Sequence, residues 1–379
     1  MTLVLTEEQQ MLRDSAAGFL KEKASVAQLR ALRDSSSELA FDPAVWKEMA
    51  DMGWAGIAIP ETYGGLGYGY TGLGVVLEQA GRHLSASPLE ASVLLGATAI
   101  NYLGNEAQKS EWLAAIAAGD KQVTLALQET AAFDPLAVSL VAQREGDDFL
   151  LSGNKRMVLD ALSADAFVLI ARSSGDAGES AGLSAFLVPA GVQGLRVERC
   201  EMVDSRQCGA LTLEEVRVPA EALMGSEGEA WPQLERCLDT VNIGLASELL
   251  GLSMEAFERT MDYIRERKQF GQVIGSFQGL QHRAAELFAE LELAKSIVLQ
   301  ALQAVDADDE QLPMLASAAK AKLCEVAKTA SNEGIQMHGG VGMTDEYDIG
   351  LYLKRARVLQ HLFGDYYYHL DRFARLGGY

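Results

Sequence analysis

The sequence predicts an α+β multidomain chain: an all-α N-terminal domain over residues 1–120, a β-barrel-like middle domain over 121–226 and a four-helix bundle over 227–379. Three observations carry this. Apolar residues recur at the helical three-and-four spacing from Thr6 to about Asp120. Between Lys121 and Gly225 the texture changes to short runs rich in β-branched and aromatic residues, separated by turn clusters such as EGDD and SGDAGESAG. Beyond Gly225 the helical period returns in long segments with few prolines between them.

The elements follow in order. In MTLVLTEEQQMLRDSAAGFL, Thr6 followed by acids reads as a helix N-cap, without the positive n-region of a secretory signal. The stretch IPETYGGLGYGYTGLG, residues 59 to 74, holds six glycines and no apolar period, and is expected to be a loop. The runs VTLALQ, FLLSGNK, AFVLIAR, SAFLVPA and LTLEEVRVP read as strands. Helices are expected over about 229–267, 276–306, 312–337 and 346–375.

Composition excludes several functions. With 53 acidic against 32 basic residues the chain carries a net charge of −21, so phosphates would meet repulsion over most of its surface and nucleic acid is disfavoured as a partner. The four cysteines, Cys200, Cys208, Cys237 and Cys324, have no CxxC spacing, which argues against structural zinc and for reduced thiols in a cytoplasm; no metal site is expected. No 18-residue apolar span is present.

Two segments of the bundle half carry candidate chemistry. In RERKQFGQVIGSFQGLQHR, residues 265 to 283, Gly271 and Gly275 flank a turn, and Arg267 stands near Phe270 at a helix end. An arginine there can offer a planar cation to a phosphate and the phenylalanine can lie against an aromatic ring; the alternative is a solvated basic turn that ends a helix. In EGIQMHGGVGMTDEYDIGLYLKRAR, residues 333 to 357, the glycines of GGVG let backbone N–H groups approach an anion. No strand precedes them, so neither a Rossmann site nor a P-loop is indicated.

Together with IPETYGGLG, GNKRMVLDALSADAFVLIAR and LTLEEVRVPAEALMG, these segments resemble the acyl-CoA dehydrogenase family, in the right order and over nearly the whole chain. The resemblance implies that family's three-domain fold and an oligomer, a dimer or tetramer, with each FAD lying between subunits. It implies that Arg267 and Phe270 meet the diphosphate and adenine side of FAD, and that Gln278, Gln336, Gly339 and Gly340 hold the dinucleotide. It implies removal of two hydrogens from an acyl-CoA thioester, as in fatty acid metabolism and lipid degradation, with an electron-transferring flavoprotein as acceptor. A carboxylate takes the α proton while hydride leaves the β carbon for the flavin, and positioned proton transfer of this kind contributes roughly 100 to 10,000-fold in rate.

At the position of the usual base this chain departs from its relatives. In VLQHLFGDYYYHLDRF the glutamate expected before Gly364 is Phe363. The second family position for a base is Val241, and the arginine beside it is Asn242. Glu248, two turns along the same helix face, and Asp365 are then the candidate bases. His361 and His369 read as helix-face or packing residues rather than catalysts. In the middle domain LQETAAFDP keeps Glu129 and Thr130 but lacks a ligand-touching serine, and Met157, Val158 and Leu159 replace Trp-Ile-Thr, so Gln128 and Thr130 are the expected cofactor contacts in an altered cradle. GDYYYHLDR and ASELLG look like the branch with steroid side-chain and pimeloyl-type dehydrogenases, often built of paired unlike subunits. Three expectations stand: an enzyme with an unorthodox base, a silent partner subunit of a related dehydrogenase, and a non-enzymatic scaffold that binds acyl-CoA or FAD.

Overall fold

The computed structural model describes residues 3–35 and 39–379. Packing divides the chain into two units, and they do not follow the three sequence segments. One gathers the residues up to Ala31, Tyr70–Ser85 and Asn242–Tyr379; the other gathers Leu32–Gly69 and Ala86–Val241.

The first unit is helical. Its helices are α1 (Glu7–Lys23), α2 (Gly69–His83), α3 (Trp231–Glu266, from Asn242 onward), α4 (Gln278–Asp306), α5 (Leu312–His338), α6 (Ile349–His361) and α7 (Tyr366–Leu376). Thr6 caps α1 as its sequence suggests: the hydroxyl accepts from Gln9 N at 3.2 Å and the Gln9 side chain accepts from Thr6 N at 3.0 Å, a reciprocal capping box.

Two expectations are corrected in this unit. The glycine-rich stretch 59–74 is not a loop throughout, because α2 begins at Gly69. Its first turn is held by Asp306, whose carboxylate accepts from Tyr70 N at 2.6 Å, Thr71 N at 2.9 Å and the Thr71 hydroxyl at 2.5 Å. At its other end Arg82 O accepts the hydroxyl of the buried Tyr352 at 2.6 Å. The glycines serve close packing: a methyl added at Gly74 would overlap Leu302, and one at Gly81 the carbonyl oxygen of Glu248. The helix expected over 346–375 is also two helices, α6 and α7, separated where Phe363 and Gly364 take φ of 53° and 105°. A helix cannot pass through two residues in that region.

The second unit is built on one sheet. Its strands are β1 (Val123–Ala126), β2 (Val141–Glu145), β3 (Asp148–Leu159), β4 (Ala166–Arg172), β5 (Leu183–Pro189), β6 (Leu195–Glu201), β7 (Gln207–Pro219) and β8 (Leu223–Met224). Their order is β6-β7-β3-β2-β4-β5-β8, with β1 parallel to β4. β2 and β6, VAQRE and LRVERCE, are largely exposed and carry charges, which hides them from a search for apolar runs. Phe149, Phe167, Phe186, Leu211 and Val216 fill the core, with the Phe149 and Phe186 rings edge-on at 5.0 Å. The buried Arg172 guanidinium donates to the carbonyls of Leu136, Val138, Glu179 and Ala181, pinning two loops to the end of β4. A π-helix, Leu89–Ala97, is buried throughout, and Ser92 Oγ accepts from Val123 N at 3.2 Å.

Among the described residues no helix is long and apolar enough to cross a membrane, and no group of three or more His, Cys, Asp or Glu is arranged to hold a metal ion.

α2 and α3 touch backbone to backbone at two glycines, since a methyl at Gly251 would overlap the Glu78 carbonyl oxygen just as one at Gly81 would overlap that of Glu248. Gly251→Ala is therefore expected to destabilise the protein by about 1–3 kcal/mol or more, the range of overpacked cores. Urea denaturation of the variant against the parent chain measures it.

Candidate functional site

The loop between α6 and α7 occupies the position where a catalytic carboxylate was sought, and its conformation is fixed by buried donors. The Lys320 ammonium, on α5 and fully buried, donates to Leu362 O at 2.7 Å and to Gly364 O at 2.8 Å. His369, one turn into α7, donates from Nε2 to the Phe363 carbonyl at 3.0 Å. Three consecutive carbonyls thus each have a donor from outside the loop. Burial first, and then the nearby Lys320 charge, pushes His369 down to about 2, so its imidazole is neutral. Burial also pulls the Lys320 ammonium below its usual value. Gln360 and Cys324 join α6 to α5 beside them, with Gln360 Nε2 donating to Cys324 O at 2.7 Å.

Both candidate bases have other partners. Glu248 is buried on α3 and accepts from Arg355 Nε at 2.9 Å and Nη2 at 2.8 Å, with Arg355 also buried. The two bonds tie α3 to α6 in the interior. Asp365 is the N-cap of α7, accepting from Tyr368 N at 3.0 Å. Glu248 is thus buried in an ion pair, and the partly exposed Asp365 uses its carboxylate on its own helix.

The other predicted residues of this unit sit on two neighbouring turns. After α3, Lys268–Gln269 pairs antiparallel with Gln272–Val273, and Phe270 and Gly271 form the tip with φ of 54° and 80°. Positive φ at both central residues is the tight hairpin geometry that normally takes Asn-Gly. A phenylalanine in that position is a steric outlier, strained by about 1–3 kcal/mol. The residue is 90% exposed, and its ring meets Phe277 edge-on at 6.2 Å. Arg267 ends the helix, exposed, with its backbone N–H bonded to Tyr263 O and its carbonyl to Ile274 N. Gln278, the first residue of α4, is exposed as well.

Tyr263 joins this hairpin to the second turn. Its ring stacks on His338 at 4.3 Å and its hydroxyl donates to His338 O at 3.3 Å. Gln336 is exposed on the last turn of α5, and Gly339 and Gly340 follow it, also exposed, with no atom within 4 Å of where a Cβ would stand on either. Tyr347 packs edge-on against both Tyr263 and His338. Asp348, accepting from Arg30 and Arg259, holds the far end of this turn. The result is an exposed arginine, an exposed aromatic ring and two unobstructed glycine backbones on adjacent turns, a set whose donors fit a diphosphate and whose ring fits a planar base. Tyr263, Lys320 and Arg355 were not visible as participants in the sequence; each acts through a partner far along the chain.

In the second unit Gln128 and Thr130 turn inward on their own loop. Gln128 Nε2 donates to Thr130 O at 3.0 Å, and the Thr130 hydroxyl to Ala132 O at 2.6 Å. Glu129 between them binds the fully buried Lys155 at 2.6 Å and accepts from Ser139 N at 2.7 Å. Burial brings Lys155 down to about 8 although Glu129 opposes it. The side chains of Gln128 and Thr130, the expected cofactor contacts, shape the loop they stand on. Met157, at φ 53°, is partly exposed, while Val158 and Leu159 are buried.

Comparison with known proteins agrees across the chain. Residues 6–120, 127–216 and 228–376 match the families described as the N-terminal, middle and C-terminal domains of acyl-CoA dehydrogenase. The probable acyl-CoA dehydrogenase YngJ of Bacillus subtilis is 32% identical, with 95% of each chain covered. A steroid ACAD variant, Tcur3481-Tcur3483, shares the fold at a TM-score of 0.88 and 30% identity, covering 98% of each chain. The ChsE4-ChsE5 complex from Mycobacterium tuberculosis matches at a TM-score of 0.89 and 25% identity, covering 100% of this chain and 99% of the other.

A pH dependence follows from His369. Its folded value lies below the unfolded 6.5, so between about 6.5 and 2 the unfolded chain binds the proton that the folded chain refuses. The stability this residue contributes is present above pH 6.5 and is lost as pH falls, by about 1.4 kcal/mol per unit. In His369→Gln, denaturation midpoints between pH 6.5 and pH 4.5 are expected to fall less steeply than in the parent chain.

Proposed function

Because the chain belongs to the acyl-CoA dehydrogenase family, we propose that it is the flavin-holding, base-lacking subunit of a mixed oligomer in which a related chain supplies the glutamate. The family oxidises acyl-CoA thioesters with a flavin. The observation that carries the proposal is the α6–α7 loop: Phe363 stands where the base belongs, the loop is held by Lys320 and His369, and Glu248 and Asp365 are engaged with Arg355 and with the N-terminus of α7. Two of the similar structures, Tcur3481-Tcur3483 and ChsE4-ChsE5, are named as pairs of different chains, which favours an unlike partner here.

On this reading FAD would supply the hydride acceptor for the β carbon of the acyl group. The residues of this chain hold it. Arg267 meets the diphosphate with a planar charged fork, and Phe270 covers the adenine side. Gln278 and Gln336 would offer amide hydrogen bonds to the dinucleotide, and the open backbones at Gly339 and Gly340 would let it approach without a side chain in the way. An electron-transferring flavoprotein takes the electrons onward. Proton removal at the α carbon needs a carboxylate in a dry pocket, and that group belongs to the partner.

The reading is tested by purification alone and after co-expression with a glutamate-bearing homologue. Flavin absorbance bleached by an acyl-CoA is expected only from the mixed protein, and bleaching by the lone chain would overturn the proposal. In the mixed protein Arg267→Ala is expected to weaken FAD retention by roughly 10 to 100-fold, the effect of losing hydrogen bonds to a charged group. Glu248→Gln separates a base from a structural acid. It is expected to lower stability by about 3–5 kcal/mol, as when one member of a buried ion pair is removed, while the folded fraction keeps its turnover.

A further inference from the structure

Strands β6 and β7 run antiparallel, and their register places Cys200 directly opposite Cys208. Directly opposed residues put their side chains on one face of the sheet, with Cα atoms about 4.5–5.5 Å apart, inside the roughly 4.4–6.8 Å that a disulfide spans. Leu211 and Leu213 point into the core of the sheet, so alternation sends Cys208 to the opposite face with Ala210 and Thr212. The two thiols differ. Cys208 is fully buried, with Met157 Sδ 3.9 Å from its sulfur, and burial followed by the adjacent Cys200 thiol pushes it up to about 12. Cys200 is half-exposed and lines a cavity of about 320 Å³ together with Arg33, Arg199, Met202 and Arg206. The remaining cysteines, Cys237 and Cys324, are buried on α3 and α5.

We propose that Cys200 and Cys208 are a hydroperoxide-sensitive pair that closes into a cross-strand disulfide. In the first step the Cys200 thiolate attacks one oxygen of hydrogen peroxide, the O–O bond breaks, and Cys200 becomes a sulfenic acid as hydroxide leaves and combines with the thiol proton to give water. In the second step the Cys208 sulfur attacks the Cys200 sulfur, the S–O bond breaks, and the Cys208 proton departs with the hydroxyl as a second water. Two thiols are oxidised by two electrons and one peroxide is reduced. A small-molecule dithiol reverses the bond. Cys200 begins the reaction, since it is half-exposed and faces a cavity large enough for peroxide, and the buried Cys208 opposite it is positioned to trap the product before further oxidation. Closure would clamp the turn Met202–Arg206, in which Ser205 takes φ 65°.

The test is independent of flavin binding. Purified full-length protein is treated with hydrogen peroxide, quenched, digested without reduction and mapped by mass spectrometry. A peptide linking Cys200 to Cys208, lost on adding dithiothreitol, is expected, with Cys237 and Cys324 alkylated as thiols once the protein is denatured. In Cys208→Ala the sulfenic acid at Cys200 is expected to persist and take up roughly tenfold more dimedone than in the parent chain. Recovery of Cys200 as sulfinic acid beside an alkylatable Cys208 in the unsubstituted protein, or of both as free thiols, would overturn the proposal without recourse to any variant.

Discussion

An ammonium group with no carboxylate bonded to it cannot be buried unless backbone oxygens are brought to it, and Lys320 imposes that constraint on the end of the bundle. Its two acceptors, Leu362 O and Gly364 O, flank Phe363, and the carbonyl of Phe363 is bound by His369. The loop has one conformation because any other strands a charge or a carbonyl in a dry interior. That fixed loop sets what the chain can do at the position usually given to a base: it presents a buried phenyl ring and the cap of a helix.

The same economy governs the other buried charges. Glu248 and Arg355 neutralise each other, Glu129 does so for Lys155, and Arg172 is satisfied by four carbonyls. Each group ties together segments distant in sequence. Acids that chemistry might have used are thereby part of the scaffold, whereas the polar groups left open to solvent, Arg267, Gln278 and Gln336, lie on turns beside exposed glycine backbone. Rigid interior and open turns are complementary: a dinucleotide site gains from turns held in place before the ligand arrives.

What the sequence disclosed was what local chemistry determines. Thr6 announced a cap because its partner is three residues away, and the runs that became β3, β4, β5 and β7 were readable because their burial matches strand composition. The start of α2 inside a glycine-rich stretch was not readable, since the acid that caps it, Asp306, is remote and its glycines answer to Leu302 and to the backbone of α3. Nor was the break between α6 and α7, whose cause is a lysine on another helix. Periodicity put Glu248 on the same face of α3 as Val241, and both are buried. Its partner Arg355 could not be inferred from spacing, and that partner decides its role. Arg267, Phe270, Gln336, Gly339 and Gly340 were singled out through family motifs, and the structure places them on two turns joined by Tyr263.

The hairpin tip at Phe270 bears on how such a protein is made. As it stands in this chain, the tip keeps a large aromatic side chain in water on a bent backbone, a feature that invites association with other exposed apolar surface. If the proposed unlike subunit covers it, synthesis of both chains in matched amounts would shorten the time that ring spends in water.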